Sequence, residues 1–355
     1  MSPFHFRILF KCNLHLRLSF KTAFNYLSLF YTAIREELKR TLMKAQYLIA
    51  ILFIWIAPNF ALGEPAKVKL LVNNWTSQIV LTHVTGQLLK KLNYEPVYVE
   101  SSVSEQWGAL AHGVADVQVE VWEGTMADAF ARVVSSGKVI DAGAHDAKTR
   151  EDWWYPKYVE EICPGLPDWK ALDKCSTLFS KDGISGPGIY VAGPWEKPDE
   201  ARIRALRMNF VVNVVEKGDD LWVALKKAKA QKRPIVLFNW TPNWVESVYS
   251  GSFVEFPTHH PDCETDPKWG TNPNRVYDCG NPKGGWLKKG VSKRLKQTHP
   301  CAFEFIQNIN FTNQQIARAS AYVDVDGLTH EKAASRWLTE NAQAWQAWMP
   351  DQCKI

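Results

Sequence analysis

What the chain lacks narrows the field first. It has no glycine-rich phosphate loop, no nucleophile elbow and no zinc-protease helix motif, so the commonest catalytic signatures are missing. No two cysteines stand at CxxC spacing, which argues against a structural zinc. No apolar run approaches the roughly 18 residues of a membrane span; the main one, Tyr47 to Ala57, is too short for comfort. A basic excess is also lacking, despite a formal charge of +5. Residues 1–63 hold eight basic and two acidic side chains, which leaves 34 basic and 35 acidic in the remainder. That balance gives no electrostatic case for nucleic acid or an anionic membrane.

What is present points to export. Lys44 follows Met43, an apolar run comes next, and Ala61-Leu62-Gly63 offers small residues where a signal peptidase reads. We read 43–63 as a secretory signal peptide; a short membrane anchor is the bland alternative. No cysteine follows the cleavage site, so a lipoprotein anchor is not expected. The product suits a periplasm. Residues 1–42, basic and aromatic without a domain pattern, are a doubtful upstream extension, with translation expected to begin at Met43. Beyond the signal stand Cys163, Cys175, Cys263, Cys279, Cys301 and Cys353, an even six that an oxidising compartment lets pair. Six cysteines allow fifteen connectivities; neighbour pairing (163–175, 263–279, 301–353) is the expectation.

The rest alternates strand and helix. Strands are expected at 68–72, 96–100 and 117–121, with helices at 77–92, 106–112 and 126–135. The first helix carries Ile79, Val80, Val84, Leu88, Leu89 and Leu92 on one stripe. The pattern restarts near residue 180, with strands at 189–192, 210–215 and 234–238 and helices at 198–207, 219–231 and 242–249. Two such units predict α/β architecture in two lobes. Residues 258–301, rich in Pro, Gly, Asp and Asn, read as a disulfide-held surface insertion, and 312–349 as helices packed on the first lobe.

Tryptophan is abundant, with 16 residues. Trp75, Trp122 and Trp240 fall at predicted strand ends, where α/β sheets bind ligands. Trp153-Trp154-Tyr155 sits near the presumed lobe crossing. Any one tryptophan is more often core, and Trp222, Trp337, Trp345 and Trp348 are assigned to packing. Several at strand ends suit a ligand with no N–H to donate. A quaternary ammonium is held by aromatic faces, each worth about 0.5–2 kcal/mol.

The chain resembles the glycine betaine, choline and trimethylamine N-oxide binding proteins of ABC importers. The likeness runs in order through Asn74-Trp75-Thr76, Glu120-Val121-Trp122-Glu123-Gly124, Trp154-Tyr155-Pro156-Lys157-Tyr158-Val159, Gly193-Pro194-Trp195, Asn239-Trp240-Thr241-Pro242-Asn243-Trp244 and Val323-Asp324-Val325-Asp326-Gly327. It implies an α/β, two-lobed periplasmic binding protein of type II with a ligand cleft between lobes, built from 64–147 and 242–355 (lobe 1) and 148–241 (lobe 2). It implies a monomer that hands a small trimethylated amine to a membrane permease, without catalysis or a required cofactor. The expected site is Trp75, Thr76, Ser77, Glu120, Trp122, Trp154 or Tyr155, and Trp240. A betaine carboxylate would seek donors at Thr76, Ser77 and Gln78. Ser77 stands where choline binders tend to carry an acid, which weakens choline; carnitine is a further alternative. The 258–301 insertion is more like the trimethylamine N-oxide binders, whose loops can hold calcium, and Asp262, Glu264, Asp266 and Asp278 supply hard oxygen ligands for a possible Ca2+. A solvated loop pinned by Cys263 and Cys279 reads equally well. The rival classes are a secreted carbohydrate-active enzyme, with Glu120, Glu123 and Asp152 as acid and base, and a sugar-binding protein.

Overall fold

The computed structural model describes residues 31, 32, 34–43, 64–195 and 197–353. Residues 1–64 and 65–355 form two separate units. In the first, the described residues 34–43 are helical and exposed. The expected export signal at 43–63 lies, beyond Met43, outside the described residues, as does most of the 1–42 extension. Among the described residues no helix is long and apolar enough to cross a membrane.

The second unit opens with the expected alternation: β1 (Ala66–Val72), α1 (Thr76–Lys91), β2 (Tyr94–Glu100), α2 (Gln106–Ala111), β3 (Val117–Trp122) and α3 (Glu123–Ser135). β1 lies parallel to β2 on one side and to β3 on the other. α1 buries Val80, Val84, Leu88, Leu89 and Leu92 of the stripe read from sequence, with Leu81 in addition, while Ile79 is only half-buried; each fully buried side chain contributes about 1.5–3 kcal/mol.

Next comes β4 (Val139–Pro156), which joins two half-sheets. Its first part pairs antiparallel with β9 (Gly285–Ser292), and its last part, from Arg150, with β7 (Val236–Thr241). After α4 (Trp169–Lys174), the second half-sheet adds β5 (Gly188–Ala192), α5 (Asp199–Leu206), β6 (Phe210–Val214) and α6 (Asp219–Ala230), followed by β7. β5 runs parallel to both β6 and β7. The strand order is β2-β1-β3-β9-β4-β7-β5-β6, and β8 (Gly251–Phe253) pairs with the end of β4. The chain thus crosses between halves at β4 and again just before β9, giving the two-lobed α/β form.

Two expectations are corrected. The stretch 242–284, assigned to the first lobe, stays with the second half-sheet. β8 pairs with Trp154, Tyr155 and Pro156, and Arg202 of α5 donates to Cys279 O at 2.8 Å and Asn281 Oδ1 at 2.7 Å. Within the insertion read at 258–301, residues 285–292 are β9, wedged between β3 and β4, and 293–298 are helical. The lysines and glycines of β9 hide a strand signal, and Lys289 is nonetheless buried because its ammonium donates to the carbonyls of Gln307 and Ile309. The three neighbour disulfides form: Cys163–Cys175, Cys263–Cys279 and Cys301–Cys353. Toward the C terminus two helices, Asn313–Asp324 and His330–Glu340, pack on α1. The first is opened by a capping box between Thr312 and Gln315.

Candidate functional site

The strand ends of both halves face one another, and each delivers an indole there. Trp75 caps α1 where β1 ends. Trp122 is the last residue of β3, and Trp240 lies near the end of β7. Trp195 lies in the loop after β5, where glycine is needed: a Cβ at Gly193 would overlap its ring. With Trp107 of α2 and Phe238 of β7, these side chains line a cavity of about 460 Å³, a size suited to a small molecule.

The rings stand edge to face. Trp195 meets Trp75 at 6.5 Å between centroids and 88° between planes, and Trp240 at 5.4 Å and 86°. Such T-shaped packing is a favoured geometry for aromatic pairs and fixes the rings relative to one another. Trp195 also ties the halves together, since its Nε1 donates to Asn74 Oδ1 at 3.1 Å.

Glu120 of β3 lies behind two of the indoles. Its Oε2 accepts from Trp75 Nε1 at 2.7 Å, Trp122 Nε1 at 3.0 Å and Ser77 Oγ at 3.1 Å. Burial pushes its carboxyl up to about 7, against the lowering effect of those donors. On the wall itself stands Glu151, which is buried. Its Oε1 accepts from Thr125 Oγ1 at 2.9 Å and pairs with Lys197 Nζ at 3.3 Å, while Oε2 has no partner.

Of the residues singled out in the sequence, Trp75, Trp122 and Trp240 come together on the cavity, with Glu120 behind them. Thr76 and Ser77 line a much smaller chamber behind Trp75 rather than the main cavity. Their hydroxyls are engaged elsewhere: Thr76 Oγ1 donates to Asp324 Oδ1 at 3.0 Å and Ser77 Oγ to Glu120. Gln78 is likewise turned inward, toward Asn73, Leu71 and Gln118.

Trp154 and Tyr155 are not on the cavity. They are 1% and 0% exposed, set in β4 next to β8. Trp154 packs so closely on Gly251 that a Cβ there would strike its ring. Tyr155 Oη donates to Glu160 at 3.0 Å. The acidic residues of the insertion do not converge either. Asp262 pairs with His260, Glu264 with His259, Asp266 accepts from Lys268 N, and Asp278 accepts from Thr271 and Asn272. Among the described residues no cluster of His, Cys, Asp or Glu is placed to hold a metal ion.

Trp195, Trp107, Phe238 and Glu151 line the cavity without having been picked out as site residues. Trp195 was findable, since it follows a strand located at 189–192, and the strand-end rule applies to it as to Trp75. Trp107 in a short helix and Glu151 in a stretch without periodicity give no such signal.

The acid–base candidates of an enzyme do not assemble. Glu123 accepts from Trp286 N at 3.0 Å, Asp152 pairs with Arg202 at 3.1 Å, and neither lines the cavity.

Residues 66–340 match the family described as the substrate binding domain of the ABC-type glycine betaine transport system. A trimethylamine N-oxide-binding protein of Pelagibacter ubique is 32% identical over 86% of this chain and 97% of its own. Among solved structures, an ABC-transporter choline binding protein in complex with choline superposes with a TM-score of 0.63 at 20% identity, covering 79% of this chain and 91% of the other. Lactococcal OpuAC in its closed, glycine betaine-bound conformation gives 0.59 at 19% identity, covering 80% and 100%. The two structures share the fold, and the family match spans both halves and every indole of the cavity. The chain belongs to the substrate-binding domain family of ABC-type glycine betaine transport systems.

Proposed function

We propose that this protein captures a small trimethylated amine, trimethylamine N-oxide foremost, in the periplasm and delivers it as a monomer to an ABC permease. The observation that carries this is the convergence of Trp75, Trp122, Trp195 and Trp240 from both halves on one cavity. A trimethylated nitrogen offers no hydrogen-bond donor, so aromatic faces are its natural partners. Four contacts of about 0.5–2 kcal/mol each, with apolar burial, come close to the roughly 8 kcal/mol of micromolar affinity. The indoles dominate a wall that also carries Glu151 and Arg132, an arrangement that suits holding a cation.

The choice among amines rests on what surrounds the ligand's polar end. A betaine carboxylate needs donors, yet the hydroxyls of Thr76 and Ser77 are engaged elsewhere. Arg132, the guanidinium on the wall, is exposed on α3. Glu151 would repel a second carboxylate. An N-oxide, whose negative end is one compact atom, meets less repulsion, and the Pelagibacter relative binds that ligand by its name. Calorimetric titration with trimethylamine N-oxide, glycine betaine, choline and carnitine tests the reading. Micromolar binding with the N-oxide tightest is expected. Silence across the panel would remove it.

A further inference from the structure

Glu120 is a buried acid with no cation of its own. It is 0% exposed, and among the described residues it forms no ion pair. The titratable groups on the elements around it are engaged elsewhere. Glu151 on β4 pairs with Lys197, and Glu123 on α3 accepts from Trp286 N. On β9, Lys288 pairs with Asp141 and Lys289 donates to carbonyls. His145 on β4 turns to the Val119 carbonyl, and Asp324 takes the Thr76 hydroxyl. The donors that do reach Glu120 all meet one oxygen, and two of them are the indole N–H groups of Trp75 and Trp122. Its other oxygen is buried without a partner.

A carboxyl buried in this way stays protonated unless a counter-charge stabilises its ionised form. The cavity these indoles line is where one would arrive. We propose that Glu120 is the positioning residue of the aromatic box, and that the ligand's trimethylated nitrogen is its missing counter-ion, acting through the two indoles. This rests on the box binding a trimethylated amine. Two effects then combine. The shared oxygen fixes how both rings are turned, and an ionised acceptor at each N–H enriches the ring that faces the cation. Because burial pushes the carboxyl up to about 7, a cation next door favours its ionised form. Binding therefore releases a proton near neutral pH. Affinity rises with pH through 7 and levels off above it, and if only the ionised form binds, the span from pH 6 to pH 8 is about tenfold.

The test is titration of the secreted protein with trimethylamine N-oxide at pH 6, 7 and 8, in two buffers of different ionisation heat. Tetramethylammonium, which carries no proton to lose, serves as a second probe. The expected result is weaker binding at pH 6, with net proton release that needs no variant to detect. Glu120→Gln should flatten the pH profile and weaken binding by tenfold or more, with thermal unfolding reporting whether it folds. Binding that is equal at all three pH values with no proton released would overturn the role of Glu120 while leaving the box intact. A pH profile kept by Glu120→Gln would overturn it too. No binding of either probe at any pH would sink the box reading, and this proposal with it.

Discussion

Replacing Trp195 with alanine separates the cavity seen in the structure from the one expected from sequence. Trp195 is only half-buried, so its loss opens little core. What it removes is one aromatic wall, worth about 0.5–2 kcal/mol to a cation, and the hydrogen bond to Asn74 that joins the halves, worth about 0.5–1.5 kcal/mol. The sum of roughly 1–3.5 kcal/mol converts to about 5- to 400-fold in Kd. Trp195→Phe keeps a ring and loses the hydrogen bond, so it should fall at the low end. Trp154→Ala is the contrast. It empties a fully enclosed site and should cost about 3–5 kcal/mol of stability, without removing any group from the cavity. Calorimetric Kd and thermal unfolding, measured on both variants, give opposite patterns if this reasoning holds. A Trp154→Ala protein that unfolds normally but binds poorly, beside a Trp195→Ala protein that binds normally, would refute it.

Two further expectations concern stability. His145 is buried between the Val119 carbonyl and the Phe311 N–H, which requires a neutral ring with its proton on Nε2. Burial lowers its pKa to about 3, so below about 6.5 the unfolded chain binds a proton that the folded chain refuses. Its contribution to stability is therefore whole above pH 6.5 and lost as pH falls, by up to about 1.4 kcal/mol per unit; denaturant titrations from pH 7 to 4 should show a shallower decline in His145→Phe than in the native protein. Opening the Cys263–Cys279 disulfide with paired serines should cost up to about 3 kcal/mol, read as a lower unfolding temperature. Its loop contacts Arg202 and Ala205 of α5 and contributes no residue to the cavity lining, so the Kd should stay within about twofold; a tenfold loss would show that the loop shapes the site.

The parallel strands were legible as short, mostly apolar segments between helices; β3 is buried along its whole length, while β2 and β6, at the two edges of the sheet, are partly exposed. The helices were legible from their stripes. β4 and β9 were not, for a shared reason: each is held in place by neighbours rather than by its own composition. β4 carries Asp, Ala, Lys and Glu over most of its length, and its buried Glu151 is tolerated through Thr125 and Lys197. β9 buries a lysine because two carbonyls receive it. Such compensations lie far away in sequence, and no local pattern reports them. The lobe boundaries shifted with these two strands, since the crossings between halves are β4 and the chain entering β9.

The site shows the same division. A tryptophan at a strand end is carried past the edge of the sheet, where helix and strand no longer cover it, and so it can meet a ligand. That is why Trp75, Trp122 and Trp240 could be picked out, and why Trp195 belongs with them. Trp154 stands where the two pairings of β4 overlap, opposite Leu237 of β7 on one side and Phe253 of β8 on the other. There its side chain projects into the layers that cover the sheet. Tryptophan content alone therefore cannot identify a box; position along the strand decides between core and ligand. What turns indoles at a cavity wall into a selective site is their orientation, and in our proposal that depends on a carboxylate whose partners lie 45 and 43 residues upstream and two downstream. Glu120 was expected at the site, but that it acts as a shared acceptor behind the rings shows only once Trp75, Ser77 and Trp122 are folded around one of its oxygens.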